Sequence, residues 1–469
     1  MSLRRLFNTF GQTNLFQCSN DMKIPVFKVN PSNIYAIKTP NEFYQLLLDF
    51  TVKSKKRISI SSLYIGTSHL EHDLVNKIYE TKIKNSNLDL DILLDYNRAT
   101  RETITKVDGQ LQKESSKSIL LPLVQRGANV NFYLTLKLSG WRTWIQKRPK
   151  WNELSSLHHM KLYIFDDNLI ISGANLSDTY FTNRQDRYVL IRDSSLVCDY
   201  FQQLIKEVSN FSLTLNDDGN FNLNREWKYD PRKYSHQKLF RTCAQNKIRA
   251  LNEKFSNITE ANLNEKDTVM FPLLQMKSIG INDEEQFTSN LIENCPEQSV
   301  MHMATGYFNL TKTYQMILLN RINKIPMSIL MASEEANGFF EGNGILQYIP
   351  LVYTHYVRIF LQRIRKEQNI NILYYNRPSW SFHAKGIWLF GSRYFLTVIG
   401  STNFGYRSVY RDNEAQLVIL SNDERLREMF RDEHRYLVTD SRAILDKDHD
   451  LPKVPFWVSC FATLFRSYF

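Results

Sequence analysis

Short β-type apolar runs alternate along this chain with longer stretches of helical periodicity. RISISSLYIGT (57–67) and LDLDILLDYNRATR (88–101) read as strands, the second breaking into a polar loop. Between them HLEHDLVNKIYETKIK (69–84) reads as a helix. The pattern returns later. SVMHMATGYFNLT (299–311) and IPMSILMASEEANGF (325–339) are strand-like, and LVYTHYVRIFLQRIRKEQ (351–368) is helix-like. The two leading strands both reach a tyrosine, Tyr64 and Tyr307. Strands alternating with helices predict an α/β fold: two similar halves, each a mixed sheet flanked by helices. Residues 213–268 are polar and poor in aliphatics, and are expected to bridge a first half (23–212) and a second half (269–450). A basic segment, 1–22, and an apolar one, 451–469, flank them.

One element makes the duplication explicit. HHMKLYIFDDNLIISGAN (158–175) and FHAKGIWLFGSRYFLTVIGSTN (382–403) each hold a histidine, one spacer, a lysine, an apolar strand, a polar turn, a return strand and an asparagine. Alternate residues of a strand share a face, so His159 and Lys161 point together, as do His383 and Lys385. Asp166-Asp167-Asn168 and Gly391-Ser392-Arg393 are the turns. Asn175 and Asn403 end the return strands, which can bring them back beside the histidines. The second copy is four residues longer, and the extra length fits a longer turn at GSRY. Eleven residues beyond each asparagine stands an acid, Asp186 or Glu414, opening another apolar run. These acids are expected to orient the histidines, each across the interface between halves.

Imidazole, ammonium and amide converging on one spot suit a phosphate. Lysine neutralises its oxyanions, the amide donates to them, and histidine attacks phosphorus or moves a proton near neutral pH. Two copies facing each other supply a nucleophile and an acid/base, the two roles a double displacement needs. The near symmetry of the copies leaves open which of His159 and His383 attacks and which moves the proton.

Charge adds a preference among partners. The 469 residues carry a formal net charge of +11, with 43% hydrophobic and 23% charged residues. That is a globular balance with a bias toward anionic partners: nucleic acid, an acidic membrane face or a phosphorylated substrate. The five cysteines are scattered, which argues against a zinc set or a disulfide framework. No run is long and apolar enough to span a bilayer. KLSGWRTWIQKRPKW (137–151) sets Trp141, Trp144 and Trp151 among basic residues. VPFWVSCFATLFRSYF (454–469), with Phe456 and Trp457, is almost wholly apolar. Both suit an anionic membrane surface. The N-terminal twenty residues, with Arg4 and Arg5 and no acid, read as a mitochondrial presequence or its remnant.

The twin elements resemble the phospholipase D superfamily, whose pattern is H-x-K-x(4)-D followed by G-S-x-N. His159, Lys161 and Asp166 match the first part, and Gly173-Ala174-Asn175 is a shortened second part. His383, Lys385 and Gly400 to Asn403 match in the other copy, including Ser401, but Phe390 stands in the aspartate slot. There the anchoring that a carboxylate gives by hydrogen bonds must come from packing. The resemblance implies a phosphohistidine intermediate, two-fold related halves and no catalytic metal. A divalent cation would then act only by bridging substrate phosphates.

Within the superfamily SGANLSDTYFTNRQDRY (172–188), ATGYFNLT, ASEEANGF and FHAKGIW look like the eukaryotic mitochondrial CDP-diacylglycerol–glycerol-3-phosphate 3-phosphatidyltransferases. This likeness covers about residues 55–420. It implies CDP-diacylglycerol and glycerol 3-phosphate as substrates, CMP as leaving product, a step toward phosphatidylglycerol and cardiolipin, and a peripheral site on the matrix side of the inner membrane. Arg184, Arg187, Arg407 and Arg411 are then candidates to seat the acceptor's phosphate, with Tyr64, Tyr307 and Ser401 nearby. Tyrosyl-DNA phosphodiesterases share the twin layout, and the charge would suit DNA equally. The 172–188 stretch favours the lipid substrate, with no nucleic acid expected.

Overall fold

The computed structural model describes residues 23–107, 110–136, 156–258, 266–321, 325–340, 342, 344–446 and 448–468. The basic segment 1–22 and Trp141, Trp144 and Trp151 lie outside them. The alternating pattern folds into two mixed sheets. In the first, strands Asn129–Tyr133, Asp89–Asp95 and Arg57–Ser61 run parallel. Leu162–Phe165, Asn168–Ser172, Tyr188–Ile191 and Ile34–Ile37 then follow antiparallel. In the second, Ile370–Tyr375, Met327–Ala332 and Val300–Thr305 run parallel. Gly386–Phe390, Phe395–Gly400, Glu414–Ser421 and Val269–Met276 continue antiparallel. The order and directions are the same in both, which is the duplication at the level of topology.

Apolar faces explain why the halves stay together. Strand residues Leu162, Ile171 and Val189 of the first sheet share one core with Trp388, Ile399 and Leu417 of the second. Both helices that follow the last motif strands join it: Ser195–Asn210 through Phe201 and Leu204, and Glu424–Val438 through Leu426 and Phe430. The stretch expected as a polar bridge departs from that reading. It adds strands Leu213–Leu215 and Phe221–Leu223 to the first sheet, then forms the helix Gln237–Ile258. Phe240, Ala244, Ile248, Leu251 and Phe255 bury one stripe of that helix in the shared core. The apolar residues recur at helical spacing within a polar sequence, so mean composition hid them.

Two details of the repeated hairpin were legible only in part. The four extra residues of the second copy do not all lie in the turn. Two make a fifth ladder pair and two lengthen the turn, because Phe165 pairs Asn168 whereas Phe390 pairs Phe395. Asp166, a candidate catalytic residue from the motif, sits at the turn with φ 49°, a conformation that aspartate tolerates. Its carboxylate accepts from the backbone N–H groups of Lys55 (2.9 Å), Lys56 (2.7 Å) and Arg57 (3.0 Å). It therefore ties the hairpin turn to the start of the strand Arg57–Ser61 and takes no part in the cleft. In the second copy Phe390 packs its ring edge-on to His302 and under the Arg431 guanidinium.

Replacing Asp166 by Ala leaves three backbone donors without this acceptor. The expected cost is about 2 kcal/mol of stability, on the scale of a charge-assisted hydrogen-bond cluster at a partly exposed site. A urea midpoint that does not fall would contradict the anchoring role.

Candidate active site

Each histidine is held by backbone and side chain from the opposite half. His159 N–H donates to Asn413 O (2.8 Å), and its ring Nδ1 lies 2.9 Å from Glu414 Oε2. His383 N–H donates to Gln185 O (2.7 Å), and its Nδ1 lies 2.6 Å from Asp186 Oδ2. In both cases the carbonyl belongs to the residue just before the acid. A short parallel pairing of Arg184–Gln185 with Ser381–Phe382, and a bridge between His158 and Asn413, produce this crossed arrangement. With Nδ1 facing a carboxylate, Nε2 of each ring is the nitrogen left for chemistry.

The two rings open on one cleft of about 350 Å³ with Asn175 and Asn403 in its wall. The lysines lie beneath them. Lys161 Nζ donates to His159 O (2.7 Å), and Lys385 Nζ donates to His383 O (2.6 Å) and to Asp186 Oδ2 (3.3 Å). Gly173 makes room for this: a Cβ there would stand 2.5 Å from Lys385 Nζ and 2.6 Å from Asp186 Oδ1. Gly306 likewise passes the backbone of His383, where a Cβ would come within 3.1 Å of Cα.

Burial governs the electrostatics. It drives both histidines well below the ordinary imidazole pKa, helped by the cationic lysines. Asp412 partly opposes this at His159, whereas Arg184 reinforces it at His383. Burial also lifts Glu414 to about 7 and lowers Lys385 to about 8, the latter against the pull of Asp186. Burial also drives Lys161 well below its ordinary pKa, against the pull of Glu414.

Other candidate residues separate into two groups. Tyr64, Tyr307, Arg184 and Arg407 line the cleft. Arg184 donates to Tyr307 Oη (2.8 Å) and stacks on Tyr180, and Arg407 donates to Asp412 (3.0 Å). Arg187, Arg411 and Ser401 do not line it, so the expected substrate contacts are corrected. Arg187 is fully buried, makes a two-pronged pair with Glu433 (2.9 and 2.8 Å), donates to Val398 O and Thr397, and stacks on Trp388. It joins the two sheets. Arg411 lies over the Tyr468 ring, and Ser401 supports the Glu414 carboxyl. The motif pattern could not tell these from cleft residues, because the packing of the two halves sets the direction of each side chain.

Three residues were missed. Tyr180 places its hydroxyl 3.3 Å from His383 Nε2 and 3.3 Å from Asn175 Nδ2. Asp412 stands two residues before Glu414, where Arg184 stands before Asp186, so the duplicate puts an acid beside one histidine and a cation beside the other. That signal was in the sequence. Arg98, stacked on Tyr64 at the end of the strand Asp89–Asp95, carried no motif signal. Among the described residues no group of three or more His, Cys, Asp or Glu side chains is placed to hold a metal ion.

The paired sheets and crossed histidines define a phospholipase D-like protein, and residues 47–210 match the family described as cardiolipin synthase, PLD-like domain. The fold is shared with a phosphatidylserine synthase from Haemophilus influenzae, at 17% identity and a TM-score of 0.69, over 98% of this chain and 97% of that one. Mitochondrial CDP-diacylglycerol–glycerol-3-phosphate 3-phosphatidyltransferase from Gallus gallus is 34% identical, covering 95% of this chain and 85% of its own. The Homo sapiens enzyme of that name is 33% identical over 95% and 84%. A probable enzyme of this activity from Dictyostelium discoideum is 35% identical over 100% and 82%. The chain belongs to the CDP-diacylglycerol–glycerol-3-phosphate 3-phosphatidyltransferase family.

The charge state of the site is open to direct measurement. Nuclear magnetic resonance of ring-labelled histidine should show His159 and His383 still neutral at pH 6.5, where an ordinary histidine is half protonated. Titration of either near 6.5 or above would contradict the burial argument.

Proposed function

We propose that this chain transfers the phosphatidyl group of CDP-diacylglycerol to glycerol 3-phosphate, giving phosphatidylglycerophosphate and CMP. The observation that carries the reading is the pair of buried histidines in one cleft, each backed by an acid from the opposite half. His159 attacks the phosphorus bearing diacylglycerol and CMP departs. Its side chain keeps 11% of its surface open, against 3% for His383, whose Nε2 lies under Tyr180. Lys161, Lys385, Asn175 and Asn403 steady the phosphoryl oxygens as charge shifts. His383 then takes the proton of the glycerol 3-phosphate primary hydroxyl, and that oxygen displaces the imidazole. Arg184 and Arg407 are the cleft cations for the acceptor's phosphate. Two displacements retain configuration at phosphorus. The chemistry uses no metal, and a divalent cation would act on the substrate phosphates.

The lipid reaches the site from a membrane surface. Among the described residues no helix is long and apolar enough to cross a membrane. The helix Phe456–Leu464 buries Val458 and Ala462 against the second half and leaves Phe456 84% and Trp457 46% exposed. The Trp457 ring meets Tyr348, one residue from Ile349 in the cleft wall. An apolar surface thus runs from the exposed helix to the cleft. We place it on the anionic inner mitochondrial membrane, at the matrix side, in keeping with relatives named mitochondrial.

CMP release from CDP-diacylglycerol in detergent is the direct test. Turnover should require glycerol 3-phosphate and fall on the order of 10³-fold or more in His159→Ala and His383→Ala. A single burst of CMP should persist in His383→Ala and vanish in His159→Ala; the reverse would exchange their roles. Above about pH 8 turnover should decline as Lys385 loses its proton. Wild-type protein that releases no CMP would refute the reading. Separately, Phe456→Ser combined with Trp457→Ser should weaken binding to anionic liposomes about tenfold or more, given the apolar area removed. Unchanged binding would place membrane contact elsewhere.

A further inference from the structure

A second cleft, also about 350 Å³, adjoins the first and shares Tyr64, Arg98 and Arg101 with it. Its character is different. Thr67, Ser68, Ser115, Ser177 and Thr179 give it a wall of hydroxyls. Glu71, from the first turn of the helix His69–Lys84, stands in the same wall and is buried. The Asp178 N–H donates to Glu71 Oε1 (2.6 Å), while Oε2 is buried with no hydrogen-bond partner. Gly66 packs directly over this carboxyl, where a Cβ would lie 2.1 Å from Oε1. The second half gives the first cleft apolar wall residues instead, Phe339, Leu346 and Ile349.

These chemistries sort the two ends of one substrate. Acyl chains belong on the apolar side. A sugar belongs among hydroxyls that both donate and accept, and a diphosphate belongs between guanidinium groups. An unpaired buried carboxyl oxygen suits the amino group of cytosine, which uracil lacks. We propose that the second cleft is the nucleoside subsite: ribose against the hydroxyl wall, the cytosine amino edge toward Glu71, and the departing phosphate held by Arg98 and Arg101. The inference rests on the phosphatidyl-transfer reading. In the first displacement the histidine–phosphorus bond forms as the bond from that phosphorus to the bridging oxygen breaks. The electron pair goes to the bridging oxygen, which becomes a phosphate oxygen of CMP, and the two arginines offset the charge that collects there.

The test is product inhibition against CDP-diacylglycerol in wild type, Thr67→Trp, Arg101→Gln and Glu71→Gln. Thr67→Trp and Arg101→Gln should raise the inhibition constant for CMP at least tenfold and leave the KM for glycerol 3-phosphate within twofold. Glu71→Gln should narrow the preference for CMP over UMP. Unchanged CMP inhibition, or a rise in the glycerol 3-phosphate KM instead, would overturn the assignment. An unchanged CMP-to-UMP ratio would remove Glu71 from it. Hydrogen exchange of the wild-type protein needs no variant to fold: CMP should slow exchange at residues 64–68 and 98–101, and slowing confined to 333–349 would overturn the proposal. If wild-type protein releases no CMP at all, it is the transfer reading that fails, whichever residues CMP protects.

Discussion

The crossed pairing of each histidine with the other half's carboxylate is the constraint on which the rest of this structure depends. His159 is positioned by Asn413 and Glu414, and His383 by Gln185 and Asp186. Each ring thus takes its carboxyl partner from the other half. A folded but separated half would present a histidine without its carboxylate, so the shared core is a requirement of the chemistry as much as of stability. That core is secured at the same place. Arg187, next to Asp186, reaches into the second half to pair with Glu433 and to cap the carbonyl of Val398. A buried guanidinium pairs well only when its geometry is fixed, so this contact sets the relative position of the sheets within narrow bounds.

Burial then performs two tasks. It lowers the pKa of both histidines, and it makes the lysines and carboxylates sensitive to one another. The site is nearly symmetric in geometry but not in charge. Asp412 and Arg184 occupy equivalent positions before the two acids and act on their histidines with opposite sign. The duplicated element supplies two similar surroundings, and the double displacement proposed above would need them to differ. A single pair of substituted positions provides an electrostatic difference without disturbing the backbone pattern that orients the rings.

Around this centre the surroundings are polarised. Phe339, Leu346 and Ile349 give the first cleft an apolar wall, and Arg98, Arg101 and the hydroxyls of the first half line the adjoining one. That separation follows from where loops leave the two sheets. The strand ends of each half meet at the interface, and each half contributes its own loops to one side of the cleft. An amphiphilic substrate with its reactive phosphorus between lipid and nucleotide fits such a division.

The repeated hairpin, its histidine, lysine and asparagine, the acids that follow, and the alternation of strands with helices could all be read along the chain. They are local: periodicity of two or of about four residues, turn residues, and fixed spacing. Their chemistry was legible for the same reason, because residue types recurring in order imply shared work. What the chain could not reveal by itself was which polar residues face the cleft. Arg184 and Arg187 are three apart and look alike in sequence, yet one lines the cleft and the other binds two sheets together. The anchoring by Asp166 was legible from its place in the turn, and the structure supplies the three backbone donors it holds. The polar stretch 213–268 conceals a helix whose buried stripe completes the core. The arginines and the helix depend on side-chain direction and on contacts between residues far apart in sequence, 123 positions for Arg184 with Tyr307 and 246 for Arg187 with Glu433, which burial and packing settle only when both sheets are in place.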